Sequence, residues 1–312
     1  MKLLFAFLRL VRWPNLVFIA ITQLLFVYAI IHPILTTSGV VANIRGIYFF
    51  YLLVSSVLIA AAGYIINDYF DLNIDQINKP NKLVVEKIIS RRWVIMWHLI
   101  FSGIGIILGF VIDWYTNSRF LGFANIICVL LLFIYSISLK KKLLTGNVLI
   151  SLLTAWVILV VTWCEFSNLL HSAAVETYTQ KITRITLLYA GFAFIISLIR
   201  EVVKDIEDID GDRQYGCKTM PIVWGLNASK VFIAVWLIVL IAALSIVQVY
   251  VLQFKWWWSA AYCILFTVVP LFYVFKSLFQ AKSSADFHRL SSFIKLVMFT
   301  GILSMIFFRI YL

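Results

Sequence analysis

Residues 47–75 read IYFFYLLVSSVLIAAAGYIINDYFDLNID. The first twenty, 47–66, carry no charged side chain, and about twenty apolar residues are what a helix needs to cross ~30 Å of hydrocarbon. Asn67 follows at once, and then Asp68, Asp71 and Asp75. An apolar run of this length ending in a row of acids predicts a helix that leaves a membrane, rather than the core helix of a soluble domain.

The rest of the chain repeats the pattern. Apolar segments at 13–32, 47–66, 93–113, 120–139, 147–168, 185–203, 228–250, 258–278 and 291–310 are each long enough to span, and none shows the period-2 alternation of a membrane barrel. Of 312 residues, 63% are hydrophobic and 13% charged, and the mean hydropathy is +1.00. A soluble domain carries about 25% charged residues, so disorder, a disulfide scaffold and a soluble fold are excluded. The expected fold is all-α: a polytopic membrane protein with nine transmembrane helices around a central cavity, in a single domain over residues 1–312. Met1 to Leu10 is basic but runs straight into an apolar segment with no cleavage site, so no signal peptide is expected.

The net charge is +12. With nine spans, twenty of the Lys and Arg residues fall on one side and six on the other. The positive-inside rule then places the N-terminus and the basic loops in the cytoplasm, with the protein integral to the cell inner membrane and no nucleic-acid partner implied. Cys128, Cys164, Cys217 and Cys263 are widely spaced in or beside apolar segments, and read as reduced packing residues.

Nine of the fourteen acidic residues fall in two windows. One holds Asp68, Asp71 and Asp75; the other holds Glu201, Asp205, Glu207, Asp208, Asp210 and Asp212. Asp68, Asp71 and Asp75 are spaced i, i+3, i+7, as are Asp205, Asp208 and Asp212, 137 residues later. On a continuous helix each trio lies within an arc of about 60°. The constant offset suggests an internal pseudo-repeat, and the shared side predicts that the trios face one cavity. Glu207 and Asp210 fall on other faces and are expected to matter less. A carboxylate at a helix centre in the membrane costs about 2.5–3.5 kcal/mol, and like charges at these spacings repel. Hard oxygen ligands suit Mg2+ or Ca2+, and Mg2+ takes one or two carboxylates with substrate phosphates. Two acidic stripes flanked by Lys and Arg therefore point to a metal–diphosphate site. The plainer reading of either trio alone is a solvated helix end.

Asn67-Asp68-Tyr69-Phe70-Asp71-Leu72-Asn73-Ile74-Asp75 resembles the NDxxDxxxD motif of the UbiA-type intramembrane prenyltransferases. Asp208-Ile209-Asp210-Gly211-Asp212, followed by Gly216-Cys217-Lys218-Thr219, is similar to their second motif. Within that family, the run from Arg200 to Asp208 with Gly211-Asp212 resembles digeranylgeranylglyceryl phosphate synthases. So do Arg12-Trp13-Pro14-Asn15, Leu139-Lys140 and Gly146-Asn147. The chain departs from the family after Asn78-Lys79-Pro80, where Asn81-Lys82-Leu83-Val84-Val85-Glu86-Lys87 replaces a basic residue, Pro and a Gly-containing turn.

The resemblance implies two Mg2+ ions bridged by a prenyl diphosphate. Asp68, Asp71, Asp208 and Asp212 would be the primary catalytic ligands, with Asp75 and Asp205 joining directly or through water. Asn67 would orient a ligand or touch diphosphate. Lys140, Lys142, Arg200, Lys204 and Lys218 would hold diphosphate or phosphate, and Arg12 and Asn15 a polar head group; ordinary helix-end polarity is the plainer reading for each of these. The acceptor would be a lipid, geranylgeranylglyceryl phosphate, or in quinone-forming relatives an aromatic acid. Membrane lipid is the surroundings, and no obligate protein partner is implied.

Trp256-Trp257-Trp258 reads as an interfacial belt. The four histidines have no HExxH or triad spacing, and Asp113 and Glu165 are expected to be solvated on the outer side. A cation-coupled transporter is the rival from another class, but it calls for acids near the midplane rather than beside lysines and arginines at one face. A structural membrane protein leaves both trios unexplained.

Overall fold

In the computed structural model, residues 2–78, 84–116, 118, 120–166 and 176–311 are described. Residues 79–83, which include the first three of the departing loop, and Arg119, Asn168 and His171 lie outside them. The α-helices of six or more residues, in chain order, are α1 (Lys2–Leu10), α2 (Trp13–Thr37), α3 (Ile47–Phe70), α4 (Leu72–Asn78), α5 (Arg91–Thr116) and α6 (Leu121–Ile137). They continue with α7 (Thr145–Phe166), α8 (Glu176–Glu207), α9 (Ile209–Gln214), α10 (Leu226–Leu252), α11 (Trp257–Gln280) and α12 (Ser284–Tyr311). Eight of these are long and apolar enough to cross a membrane; α6, with 17 residues, sits at the short end of spanning length. The nine expected spans are all present as helices, and the protein is an integral membrane protein. Trp114, Ile246, Trp258 and Ile310 are among the many large apolar side chains left exposed, a surface that suits lipid.

The boundaries differ from the hydropathy reading where they matter most. The apolar stretch 47–66 belongs to a helix that runs on to Phe70, and 185–203 to one that runs on to Glu207. Asp68 and Asp205 therefore ride on the last turns of long helices.

The chain forms two compact units. The first comprises Met1–Leu24, Leu35–Lys140 and Trp156–Thr186. Its centre is the packing of α3, α5 and α6, where a Cβ added at Gly109 would come within 2.5 Å of the Asn125 amide. Small residues let membrane helices approach this closely. The approach brings the Asn125 amide to Ser55 Oγ and Gly105 O, each at 3.0 Å. Gln23, fully buried, donates to Ser56 Oγ at 2.9 Å and to Val157 O at 3.1 Å. Such bonds satisfy polar groups that lipid cannot.

Glu165 is a correction to the expected solvated acid. It is 2% exposed and accepts from the backbone N–H groups of Asn43 at 2.7 Å and Ile44 at 3.2 Å, fixing the chain between α2 and α3. Asp113 likewise accepts from the N–H groups of Leu121 and Gly122, at 3.0 and 2.8 Å, at the start of α6. Negative charge is favourable at a helix N-terminus.

The second unit comprises Leu25–Ile34, Lys141–Ala155 and Leu187–Leu312. Ile199, Val202, Val203 and Ile206 of α8 pack with Ile233, Leu237 and Leu240 of α10, Leu271, Val274 and Leu278 of α11, and Phe287, Leu290 and Ile294 of α12. This core packs the last turns of α8 into the unit. The described cysteines are free, three buried and Cys263 half-buried, as packing residues should be.

Candidate functional site

Both aspartate trios sit at a break between a long helix and a short one. α3 ends at Phe70 and α4 begins at Leu72; Asp71 between them has φ −87° and ψ −1°. α8 ends at Glu207 and α9 begins at Ile209; Asp208 between them has φ −97° and ψ 11°. The bridge region of the backbone map, which these angles approach, is where many active-site residues sit. The expectation of one uninterrupted helical stripe is corrected to a stripe with a bend at its middle aspartate. The bend leaves the hydrogen bonds running. Asp71 N–H bonds Asn67 O at 2.9 Å and Asp75 N–H bonds Asp71 O at 2.8 Å; Asp208 N–H bonds Lys204 O at 2.9 Å and Asp212 N–H bonds Asp208 O at 3.2 Å. Each bond of one break has its counterpart 137 positions away. All six aspartates are half-buried, while Asp210 is exposed.

In the first unit, Arg12 donates to Asp68 Oδ1 at 2.7 Å and lies over the ring of Tyr64, 5.1 Å from its centroid. Arg12 takes φ +51°, an uncommon conformation for a side-chain-bearing residue, at the corner between α1 and α2. Burial opposes its charge, but Asp68, Tyr64 and Asp75 outweigh that, so the guanidinium is held above its ordinary pKa. Asn15 N–H caps the same corner on Arg12 O at 2.8 Å. Lys140 pairs with Asp71 Oδ1 at 2.5 Å and donates to Asn67 Oδ1 at 3.3 Å, while Asn67 Nδ2 donates to Asp71 Oδ2 at 2.7 Å. Beyond α4, at the described end of the departing loop, Glu86 pairs with Arg91 at 2.5 Å.

In the second unit, Asn147 donates to Asp205 Oδ2 at 2.8 Å. Glu201 accepts from Arg200 at 3.2 Å and Lys204 at 3.1 Å. Glu207, on another face than the trio, is turned into the protein: its side chain is 10% exposed and pairs with His288 Nδ1 at 2.7 Å, while Ser284 Oγ donates to its carbonyl at 2.9 Å. Gly216, at φ +69°, turns the chain after α9, and Lys218 N–H then bonds Lys141 O at 2.7 Å. The side chains of Lys142 and Lys218 are exposed.

Sequence reasoning places Asn147 and Glu201 in motifs but assigns them no role in the site, and shows no sign of the anchoring role of Glu207. Asn147 carried a signal, a polar residue at the start of an apolar span. Among the described residues, no three His, Cys, Asp or Glu side chains form a ready metal cage. The oxygens that do converge, Asn67 Oδ1 and Asp71 Oδ1 on one ammonium, are hard donors of the kind Mg2+ takes when phosphate completes its shell. The donor set fits that ion.

Long apolar helices that bring paired aspartate clusters, each beside Lys and Arg, to their ends define a polytopic integral membrane protein with its polar chemistry at helix ends. The chain belongs to the UbiA prenyltransferase family, whose model matches residues 24–300, and is a prenyltransferase. It is 30% identical to a digeranylgeranylglyceryl phosphate synthase of Methanosphaera stadtmanae, over 78% of this chain and 81% of that protein. It is 32% identical to one of Methanothermobacter thermautotrophicus, over 69% and 70%. Among solved structures, it is similar in fold to a digeranylgeranylglyceryl phosphate synthase, with a TM-score of 0.64 at 22% identity and full coverage of both chains. A UbiA homologue from Archaeoglobus fulgidus bound to DMAPP and Mg2+ has a TM-score of 0.57 at 15% identity, covering 96% of this chain and 98% of that one.

Proposed function

We propose that the protein transfers a geranylgeranyl group from geranylgeranyl diphosphate to the free hydroxyl of geranylgeranylglyceryl phosphate, in the biosynthesis of membrane lipid. The observation that carries this reading is the pair of aspartate breaks with matched geometry, each beside basic side chains, in a chain about 30% identical to synthases of that name. In the reaction the allylic C–O bond of the diphosphate breaks, an ether bond forms to the acceptor oxygen, and the hydroxyl proton leaves with diphosphate. Mg2+, when bound, neutralises the diphosphate and helps it depart.

Asp68, Asp71, Asp75, Asp205, Asp208 and Asp212 are proposed as the carboxylates that serve this metal–diphosphate, with Asn67 as a further oxygen donor. Arg12 and Asn147 orient Asp68 and Asp205 through the bonds described above. Lys140, Arg200 and Lys204 offer positive charge to diphosphate and to the acceptor phosphate. Lys142 and Lys218, both exposed, are assigned to the outer edge of that basic surface. The apolar helices keep water from the allylic cation. The whole chain acts as one transmembrane prenyltransferase domain, with the acidic breaks and the N-terminus on the cytoplasmic side of the inner membrane.

The test is a product assay on purified protein with labelled geranylgeranyl diphosphate and Mg2+. Geranylgeranylglyceryl phosphate should be prenylated and 4-hydroxybenzoate should not. Prenylation of 4-hydroxybenzoate alone would move the chain to quinone biosynthesis, and uptake of substrate without turnover would make it a transporter.

A further inference from the structure

Lys140 follows α6 on the short turn Leu139–Lys141, and its side chain is 10% exposed. Its ammonium meets two oxygens from two side chains one helical turn apart, Asp71 Oδ1 and Asn67 Oδ1. The Asn67 amide is turned so that Nδ2 braces the second Asp71 oxygen and Oδ1 faces the ammonium. Two hard oxygens converging on one positive charge form the start of a divalent-ion shell, and here a lysine fills it.

We propose that Lys140 is a built-in counter-ion occupying the cation position of the first aspartate motif, and that a divalent ion displaces its ammonium, which then takes a diphosphate oxygen. This rests on the reading above that Asn67 and Asp71 serve the metal. An ammonium and a divalent ion cannot hold the same two oxygens, so metal entry is a competition. Without diphosphate, the displaced ammonium has lost a largely buried partner, and the metal binds weakly. With diphosphate present, the ammonium gains a new anion, and the competition disappears. Metal and prenyl diphosphate thereby bind cooperatively through one side chain. The same lysine spares Asp71, whose side chain is 17% exposed, from standing as an uncompensated charge when the site is empty of substrate.

The experiment measures Mn2+ binding by electron paramagnetic resonance on detergent-purified protein without substrate, in an Asp208→Asn background that isolates the first motif. Lys140→Met should bind Mn2+ about tenfold more tightly, within the ordinary range for coupled ligands. With Asp208 restored and Mg2+ present, Lys140→Met should bind geranylgeranyl diphosphate about tenfold more weakly. Mn2+ should also raise the Tm of Lys140→Met more than that of the parent. A lysine that only supports the fold would not move the two affinities in opposite directions. Lys140→Gln, neutral but able to hydrogen-bond, serves the same test if the methionine variant does not fold. Unchanged or weakened Mn2+ binding in both variants overturns the proposal while leaving the metal reading in place. Mn2+ binding that survives Asp71→Asn overturns the reading of the first motif itself, and this proposal with it.

Discussion

Asp71 and Asp208 share a residue type, a backbone conformation and a hydrogen-bonding pattern. If both are ligands to the metal–diphosphate, Asp71→Asn and Asp208→Asn should each lower the prenylation rate by about a hundredfold or more, the scale for removing one electrostatic contact to a leaving charge. Asp210→Asn, at an exposed position, should stay within about twofold. Initial rates with labelled substrate, beside a Tm for each variant, check this. Spacing made these residues legible, because a period of three and four survives in the sequence whatever the surroundings. Glu165 was not legible. A carboxylate at a span end looks solvated, and its backbone partners lie 122 and 121 residues away. Glu165→Ala should destabilise the protein by about 2–3 kcal/mol, since it strips a charged acceptor from two N–H groups. Turnover per folded molecule should be unchanged, and a thermal melt beside a specific-activity measurement reads both.

At the level of the helix, hydropathy located every span, because lipid demands long apolar segments and allows few exceptions. It stopped short at the two ends that matter, 66 against Phe70 and 203 against Glu207. The breaks at Asp71 and Asp208 left no mark in the sequence either: i, i+3, i+7 fits an unbroken helix equally well. The second break is held from outside by α12. Ser283 caps that helix in a reciprocal box with Asp286, Ser284 reaches the Glu207 carbonyl, and His288 reaches its carboxylate. Ser284→Ala combined with His288→Ala should therefore cost about 1–2 kcal/mol of stability, as two exposed hydrogen bonds would. It should also raise the Mg2+ concentration for half-maximal activity several-fold, and Ser284→Thr should restore the serine's share. A Mg2+ titration that matches the parent would show that α12 only packs.

For the whole chain, the distribution of Lys and Arg predicts that the loop holding Lys255 and the loop holding Lys282 lie on opposite sides of the membrane. Both side chains are exposed, and the four native cysteines are buried or half-buried, so labelling background should be low. A membrane-impermeant maleimide should label Lys255→Cys in intact cells and Lys282→Cys only after permeabilisation; the reverse result would invert the topology.

The matched breaks, 137 positions apart, carry unmatched companions: a guanidinium on Asp68 and a neutral amide on Asp205. Two identical half-length subunits assembled as a homodimer would have to present the same companion twice, since one gene would write both. Joining the halves in a single polypeptide removes that obligation. Arg12 and Asn147 show it removed: each break keeps the same backbone geometry and sets the charge beside its carboxylate independently.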